Sequence, residues 1–326
     1  MFSTSTQLKY WIFSGTTEIN QLRSEINSKF ISGQLAQHMG DKKPDSFLTV
    51  EEETKIRRHY EYVLKEFCTK FQPPMPRYVL GTAMAYVKRF YLRNSVMDFH
   101  PKDVIYTCVY LACKVEEFNI SIVQFVSNIK NDAKTATDLI LSQELLMMHQ
   151  LNYHLTVHNP YRPLEGLFID IKTRCPEISD PESLRPAADE FLDKSLHTDV
   201  CMIFAPSQIL RSILILIKPY MNGHHRTHYA ANKLLATGGK EHLMKTIEHV
   251  KRIKYMVKNT EMLDRDEVKQ IENKLELCRN QENNPNSEKY RQKQEELLEE
   301  EEDRRLKKCS KMAEEELNAR RQLIGL

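Results

Sequence analysis

Three features of the sequence predict an all-helical protein made of two similar bundles in tandem. Glycine is scarce, nine in 326 residues, and β-branched alternating runs are few, which disfavours a β-sandwich or a glycine-rich phosphate-binding fold. Apolar residues recur at three- and four-residue intervals in segment after segment. Two stretches 105 residues apart then repeat one pattern: VMDFHPKDVIYTCVYLACK (96–114) and CMIFAPSQILRSILILIK (201–218). Phe99-x-Pro101 matches Phe204-x-Pro206, and Val104, Ile105, Cys108, Val109, Leu111 and Ala112 fall opposite Ile209, Leu210, Ile213, Leu214, Leu216 and Ile217. Six apolar matches behind a shared opening exceed what helicity alone produces.

The elements follow in order. TTEINQLRSEINSKF (16–30) carries Ile19, Leu22, Ile26 and Phe30 on one face and reads as a helix docked on other parts of the chain. Residues 38–48 read as a linker. Thr49 with Glu52 three positions on forms a capping box for a helix running to about Phe71. Helical patterns then occupy 76–93, 101–117, about 120–130 and 135–151, with Pro76 and Pro101 where a first turn tolerates a missing amide hydrogen. Another helix spans about 162–173, and after CPEISDP the pattern resumes near 181. Past Asp264 the composition turns to charge blocks with sparse leucines. Glu300–Arg304, Glu301–Arg305 and Asp303–Lys307 support a helix at i,i+4, while the apolar spacing holds no heptad. A solvated or partly disordered helix is expected there. The resulting division is 1–45, 46–158, 159–260 and a tail at 261–326.

Forty-seven basic against forty-five acidic side chains leave a formal charge of +2, so no global field marks a nucleic-acid or membrane partner. Seven cysteines without a CxxC pair suit a reducing compartment. Cys108 and Cys113 read as core filler. No start signal for secretion and no run long enough to cross a bilayer is apparent, so a cytosolic or nuclear protein is expected.

Catalytic motifs are scarce. GGKEH (238–242) fails as a nucleotide loop, because position 234 is leucine and glutamate follows Lys240. His224, His225 and His228 are the best metal candidates, yet no carboxylate or cysteine nearby completes a set. A polar loop is the simpler reading.

LACKVEEF (111–118) sets charges straight after an apolar run. Helical spacing places Lys114 beside Tyr110, Leu111 and Phe118, while Glu144 lies among Ile140, Leu141, Met147 and Met148. Charges on apolar faces invite pairing, because desolvation is costly without a counter-charge. Either an internal ion pair or a surface that grips the backbone ends of a docked helix fits the spacing.

The stretch from MPRYVLGTAMAYV through LACKVEEF, followed by ELLMMHQLNYHLTVHNPYRPLEGL, resembles the cyclin box. LACKVEEFN is general to cyclins, and HNPYRPLEG points to the cyclin H branch. The resemblance covers roughly residues 10–260. It implies two five-helix cyclin folds with flanking N-terminal and C-terminal helices, no catalysis by the chain, no cofactor, and activation of a cyclin-dependent kinase. The cyclin pair that holds the kinase's regulatory C-helix matches Lys114 and Glu144. Leu111, Val115, Met148, Tyr153 and Leu155 would supply apolar contacts. The branch implies a nuclear CDK-activating kinase, with a RING-finger assembly factor and the TFIIH core as further partners. Kinase activation loops and the RNA polymerase II tail would be its substrates.

Two departures from cell-cycle cyclins stand out. The substrate-docking Met-Arg-Leu-Trp patch is missing from MPRYVLGTAMAYV, and the first 45 residues hold no RxxL motif, which suits a constitutive subunit. The competing readings are a cyclin of another transcriptional kinase and a tandem-repeat transcription factor of the IIB type. The latter wants a basic stripe. Residues 46–158 carry 13 basic and 12 acidic side chains and 160–260 carry 15 and 11, so direct sequence-specific nucleic-acid binding is not expected.

Overall fold

Every regular element among the described residues is helical, as the spacing of the apolar positions requires. The computed structural model describes residues 2–37, 46–129, 132–174, 180–217, 239–259 and 263–324. Helices α1 (Thr6–Tyr10) and α2 (Thr16–Gln37) precede a first bundle of α3 (Val50–Lys70), α4 (Arg77–Phe90), α5 (Pro101–Val115), α6 (Ile122–Val126) and α7 (Ala133–Gln150). The second bundle holds α8 (Tyr161–Arg174), α9 (Arg185–Leu196), α10 (Val200–Ile203), α11 (Pro206–Ile217) and α12 (Gly239–Lys258), and α13 (Arg265–Cys278) follows. These belong to one compact unit, Met1–Cys278. A second unit, Arg279–Leu326, is dominated by α14 (Glu288–Ile324), where the expected Glu300–Arg304 pair forms at 3.0 Å.

Local signals explain the helix starts. The Thr49 hydroxyl accepts from the Glu52 amide at 3.2 Å, and the Glu52 carboxylate accepts from the Thr49 amide at 2.8 Å, closing the expected capping box. Pro101 and Pro206 stand at the first positions of α5 and α11. The repeat also holds in space: Val104, Ile105 and Cys108 are buried in α5, as are their counterparts Ile209, Leu210 and Ile213 in α11.

α5 is the axis of the first bundle. Its buried residues include Thr107, Cys108, Val109, Tyr110, Leu111, Ala112 and Cys113, which point in all directions, and it packs against α3, α4 and α7. A helix apolar all round must be central.

One segment departs from the sequence reading. Residues 265–278 were expected in a solvated tail, yet Val268, Ile271, Leu275 and Cys278 are buried and α13 packs on α3. Charges between these positions mask a three- and four-residue stripe. Lys274 meets Glu52 at 2.8 Å, Lys55 meets Glu267 at 2.5 Å, and Tyr60 donates to Glu272.

A buried charge cluster links distant parts of the chain. Arg23 on α2 grips Asp199 with two hydrogen bonds of 2.8 Å, 176 residues away. Arg57 reaches Glu61 at 3.1 Å and Asp199 at 4.0 Å, and Lys88 meets Glu61 at 2.9 Å. Next to it His197 stacks on Tyr62, with ring centroids 3.8 Å apart, and neither ring nitrogen has a hydrogen-bond partner. Burial pushes its pKa down from 6.5 to about 4.

Between those pH values the unfolded chain takes up a proton that the folded chain refuses. Stability therefore falls as pH drops from above 6.5, by about 3 kcal/mol in full near pH 4. Urea titrations at neutral and acidic pH should show the parent chain losing more stability than His197→Phe. Equal losses would assign the acid sensitivity to other groups.

Candidate functional site

The charged triplet of LACKVEEF does three separate things. Lys114 leaves the core at the last turn of α5 and meets Glu144 on α7, with Nζ 2.6 Å from Oε1 and 2.8 Å from Oε2. Its ammonium also lies 4.7 Å from the centre of the Tyr110 ring. Glu116 turns inward instead, accepting from Thr82 on α4 at 2.6 Å and from Arg162 on α8 at 3.4 Å. Glu117 takes a left-handed φ of 58°, which lets the Phe118 amide donate back to the Cys113 carbonyl at 2.9 Å and ends the helix.

The second family motif meets the first at this junction. Arg162 belongs to HNPYRPLEG, as do Asn159, which donates to the Tyr78 carbonyl at 3.1 Å, and Tyr161. Tyr161 lies so close to Gly81 that a β-carbon there would meet its ring at 3.1 Å. The two bundles are locked together directly behind the exposed end of α5.

α7 carries two apolar stripes. Ala136, Ile140, Gln143 and Met147 face the core. Leu141, Glu144, Leu145 and Met148 recur at helical spacing on the other side, where Leu145 is 64% exposed, Leu141 is exposed and Met148 is half-buried. The pair itself is accessible, with side-chain exposures of 46% for Lys114 and 16% for Glu144. Val115, Phe118, Ile120 and Leu155 are half-buried, and Val123 and Tyr153 are exposed. The second stripe is thus an apolar surface left open on an already packed helix.

The strand of chain after α7 is held firmly. Asn152 and Tyr153 adopt φ of 52° and 57°, and the Tyr153 amide donates to the Met148 carbonyl at 2.9 Å. Tyr86 donates to the Leu155 carbonyl at 2.5 Å, Arg89 to the His154 carbonyl at 3.0 Å, and Arg93 to Asn152 at 2.6 Å. Trp11 on the N-terminal side bonds His154 at 3.1 Å. Tyr153 and Leu155 thus sit on a pinned strap.

Of the residues expected from sequence, Lys114, Glu144, Val115, Met148, Tyr153 and Leu155 are accessible in whole or part. Leu111 is 2% exposed and lies in the core beneath them. Ile140 and Met147, read as neighbours of Glu144, turn into the core. Sequence reasoning passed over Leu145 and Val123. The available signal was ELLMM, too apolar for a helix with only one buried side.

Among the described residues the other candidates form no reactive centre. Burial pushes the Cys113 thiol up to about 12 and those of Cys68 and Cys108 higher still, so none supplies a ready thiolate. Among the described residues no three His, Cys, Asp or Glu side chains cluster to hold a metal. His224, His225 and His228 lie outside the described residues, as does Gly238 of GGKEH.

Comparison with known proteins settles the family. The model of the cyclin N-terminal domain matches residues 30–156 and that of the cyclin C-terminal domain matches residues 159–258. The cyclin-H of Xenopus laevis is 40% identical over 285 residues, covering 86% of this chain and 88% of that protein. The chain belongs to the cyclin family. A chain in the structure of the CAK complex from Chaetomium thermophilum bound to ATP-γ-S matches this cyclin with a TM-score of 0.73 at 23% identity, covering 85% of this chain and 88% of that one. A chain of the yeast TFIIK complex matches with a TM-score of 0.60, also at 23% identity, covering 78% and 99%. Both likenesses show that this cyclin shares their two-bundle fold.

Proposed function

We propose that this cyclin is the non-catalytic regulatory subunit of a CDK-activating kinase of the TFIIH-associated type, binding and activating a cyclin-dependent kinase in the nucleus. The observation that carries the reading is the second apolar stripe of α7, with the Lys114–Glu144 pair beside it, on a chain 40% identical to a cyclin-H. Lys114 and Glu144 contact the backbone ends of the kinase's regulatory helix. Val115, Met148, Tyr153 and Leu155 cover its apolar side, and Leu111 supports them from below. Kinase chemistry needs a glutamate of that helix paired with the phosphate-binding lysine, so a partner that binds only this arrangement shifts the kinase towards it. Moving a 1:99 population to 99:1 takes about 5.5 kcal/mol of differential affinity. The apolar stripe supplies most of this, and the ion pair fixes the register.

The RING-finger assembly factor, the TFIIH core, and the activation-loop and polymerase-tail substrates belong to the same proposal. The test is the purified full chain added to a TFIIH-type kinase subunit, with phosphorylation of a polymerase-tail peptide as readout. Strong stimulation is expected, and Leu145→Asp should abolish most of it. Absence of stimulation by a folded chain would sink the assignment, as would full activity of the aspartate variant.

A further inference from the structure

Away from α7, a cleft of about 790 Å³ opens where the start of α2, the first turns of α3, the Thr198–Asp199 corner and the end of α12 meet. Among the described residues three cationic side chains line it: Arg23, Lys55 and Arg58. Each stands in a different electrostatic condition.

Arg23 is buried and shares its two terminal nitrogens with Asp199, while its Nε has no hydrogen-bond partner. Arg58 is half-buried and makes no ion pair or side-chain hydrogen bond among the described residues, although it lies close enough to Arg57 to help push that guanidinium's pKa down, after burial itself and Arg23. Lys55 meets Glu267 at 2.5 Å with both side chains partly exposed, a contact that costs little to exchange for another anion.

Among the described residues two carboxylates share the cleft wall. Asp199 is saturated by Arg23 and Arg57, and Glu51 is exposed at the rim, where water screens it. Behind the wall, Arg57 and Lys88 share Glu61, and Arg57 also reaches Asp199, so among the described residues Arg58 is the guanidinium of the cleft with no carboxylate paired to it.

The backbone adds to the same sign. Thr16 opens the 22-residue α2 and lines the cleft, so the positive end of that helix faces it; Val50 and Glu51 of α3 also line it, but the α3 start is closed by its Thr49–Glu52 capping box. Asn20 and Ser24 bring side-chain donors, while the Thr54 hydroxyl donates to the Val50 carbonyl of its own helix at 2.9 Å. On the opposite side Tyr255 and Met256 form an apolar wall, with the Tyr255 ring exposed.

We propose that this cleft binds a phosphomonoester, with Arg58 as the principal ligand and Arg23, Lys55 and the start of α2 completing the cradle. A phosphomonoester brings about two negative charges and three acceptor oxygens, which the planar fork of a guanidinium matches. Arg58 has no other anion to release among the described residues, and the cleft is much larger than one phosphate group. The space and the Tyr255–Met256 wall suit a phosphate carried on a serine or threonine segment; a free phosphate presents the same chemistry. The site is separate from the α7 surface and stands whether or not that surface binds a kinase.

Calorimetric titration of the full chain at low salt with three probes tests this: N-acetyl-phosphoserine methylamide, its unphosphorylated counterpart, and inorganic phosphate. The phosphoserine probe should bind with a dissociation constant below about 1 mM, and the unphosphorylated probe should give no saturable heat. Arg58→Ala should weaken binding by about ten- to a hundredfold, the range for losing a charged hydrogen-bonding partner. Arg58→Lys should fall between, since it keeps the charge and loses the fork. Leu145→Asp should leave binding unchanged. Phosphoserine binding tighter than phosphate identifies a phosphorylated segment as the ligand, and equal affinities identify a free anion. Circular dichroism verifies that each variant is folded. No saturable binding of either phosphate probe at about 10 mM, or unchanged affinity in folded Arg58→Ala, overturns the site.

Discussion

Replacing Glu61 with alanine is expected to destabilise the folded chain by about 3–5 kcal/mol, because it leaves two buried cations without their counter-charge. Glu61 is 0% exposed and accepts from Arg57 at 3.1 Å and Lys88 at 2.9 Å. Burial pushes its carboxyl up, but Lys88 and Arg57 outweigh burial and hold it below the ordinary carboxylate range. The alanine variant keeps Lys88, itself 1% exposed, with nowhere to find water. At roughly 2–4 °C per kcal/mol for a domain of this scale, the melting temperature should fall by roughly 6–20 °C. Glu61→Leu combined with Lys88→Met should recover part of the loss, since it removes the stranded Lys88 charge while Arg57 keeps only Asp199 at 4.0 Å. A change of only a degree or two in Glu61→Ala would mean that water reaches the cluster.

Glu144→Ala should do the opposite, leaving the melting curve nearly unchanged while binding to the partner kinase falls steeply. Lys114 is 46% exposed, so the pair with Glu144 is worth at most about 1 kcal/mol to the free subunit. At an interface that excludes water the same charge is desolvated. Truncating it then costs about 2–5 kcal/mol, roughly thirty- to several-thousand-fold in dissociation constant. Lys114→Ala is expected to behave alike. The measurement is paired: circular dichroism melting of the free chain, and calorimetric affinity for the kinase. A lowered melting temperature with unchanged affinity would reduce the pair to a structural contact.

These two acidic residues show where sequence reading reaches and where it stops. Glu144 was legible because it interrupts an apolar run, ELLMM, and Lys114 because it ends one. Glu61 was not, since in HYEYVLKEF it looks like any glutamate on an amphipathic helix. Its partner Lys88 is 27 residues away, and the cluster closes only through Asp199, which Arg23 reaches across 176 residues. Local spacing carries no information about such pairs.

The sequence by itself determined the helices and the repeat, because capping, proline placement and apolar periodicity act within a few residues. Thr49 caps α3 through Glu52, and Pro101 and Pro206 open matching helices whose first apolar positions are buried alike. Only the tertiary structure decided which of two apolar stripes on α7 the core would take, sending Ile140 and Met147 inward and leaving Leu141, Leu145 and Met148 wholly or partly exposed. It likewise decided that α13 packs on α3. It also turned the three charges of LACKVEEF to three different ends: Lys114 outward, Glu116 into the junction of the bundles, and Glu117 into the turn that ends α5. The physical reason is that periodicity records how apolar a helix face is. Which face is buried depends on the helices that arrive against it.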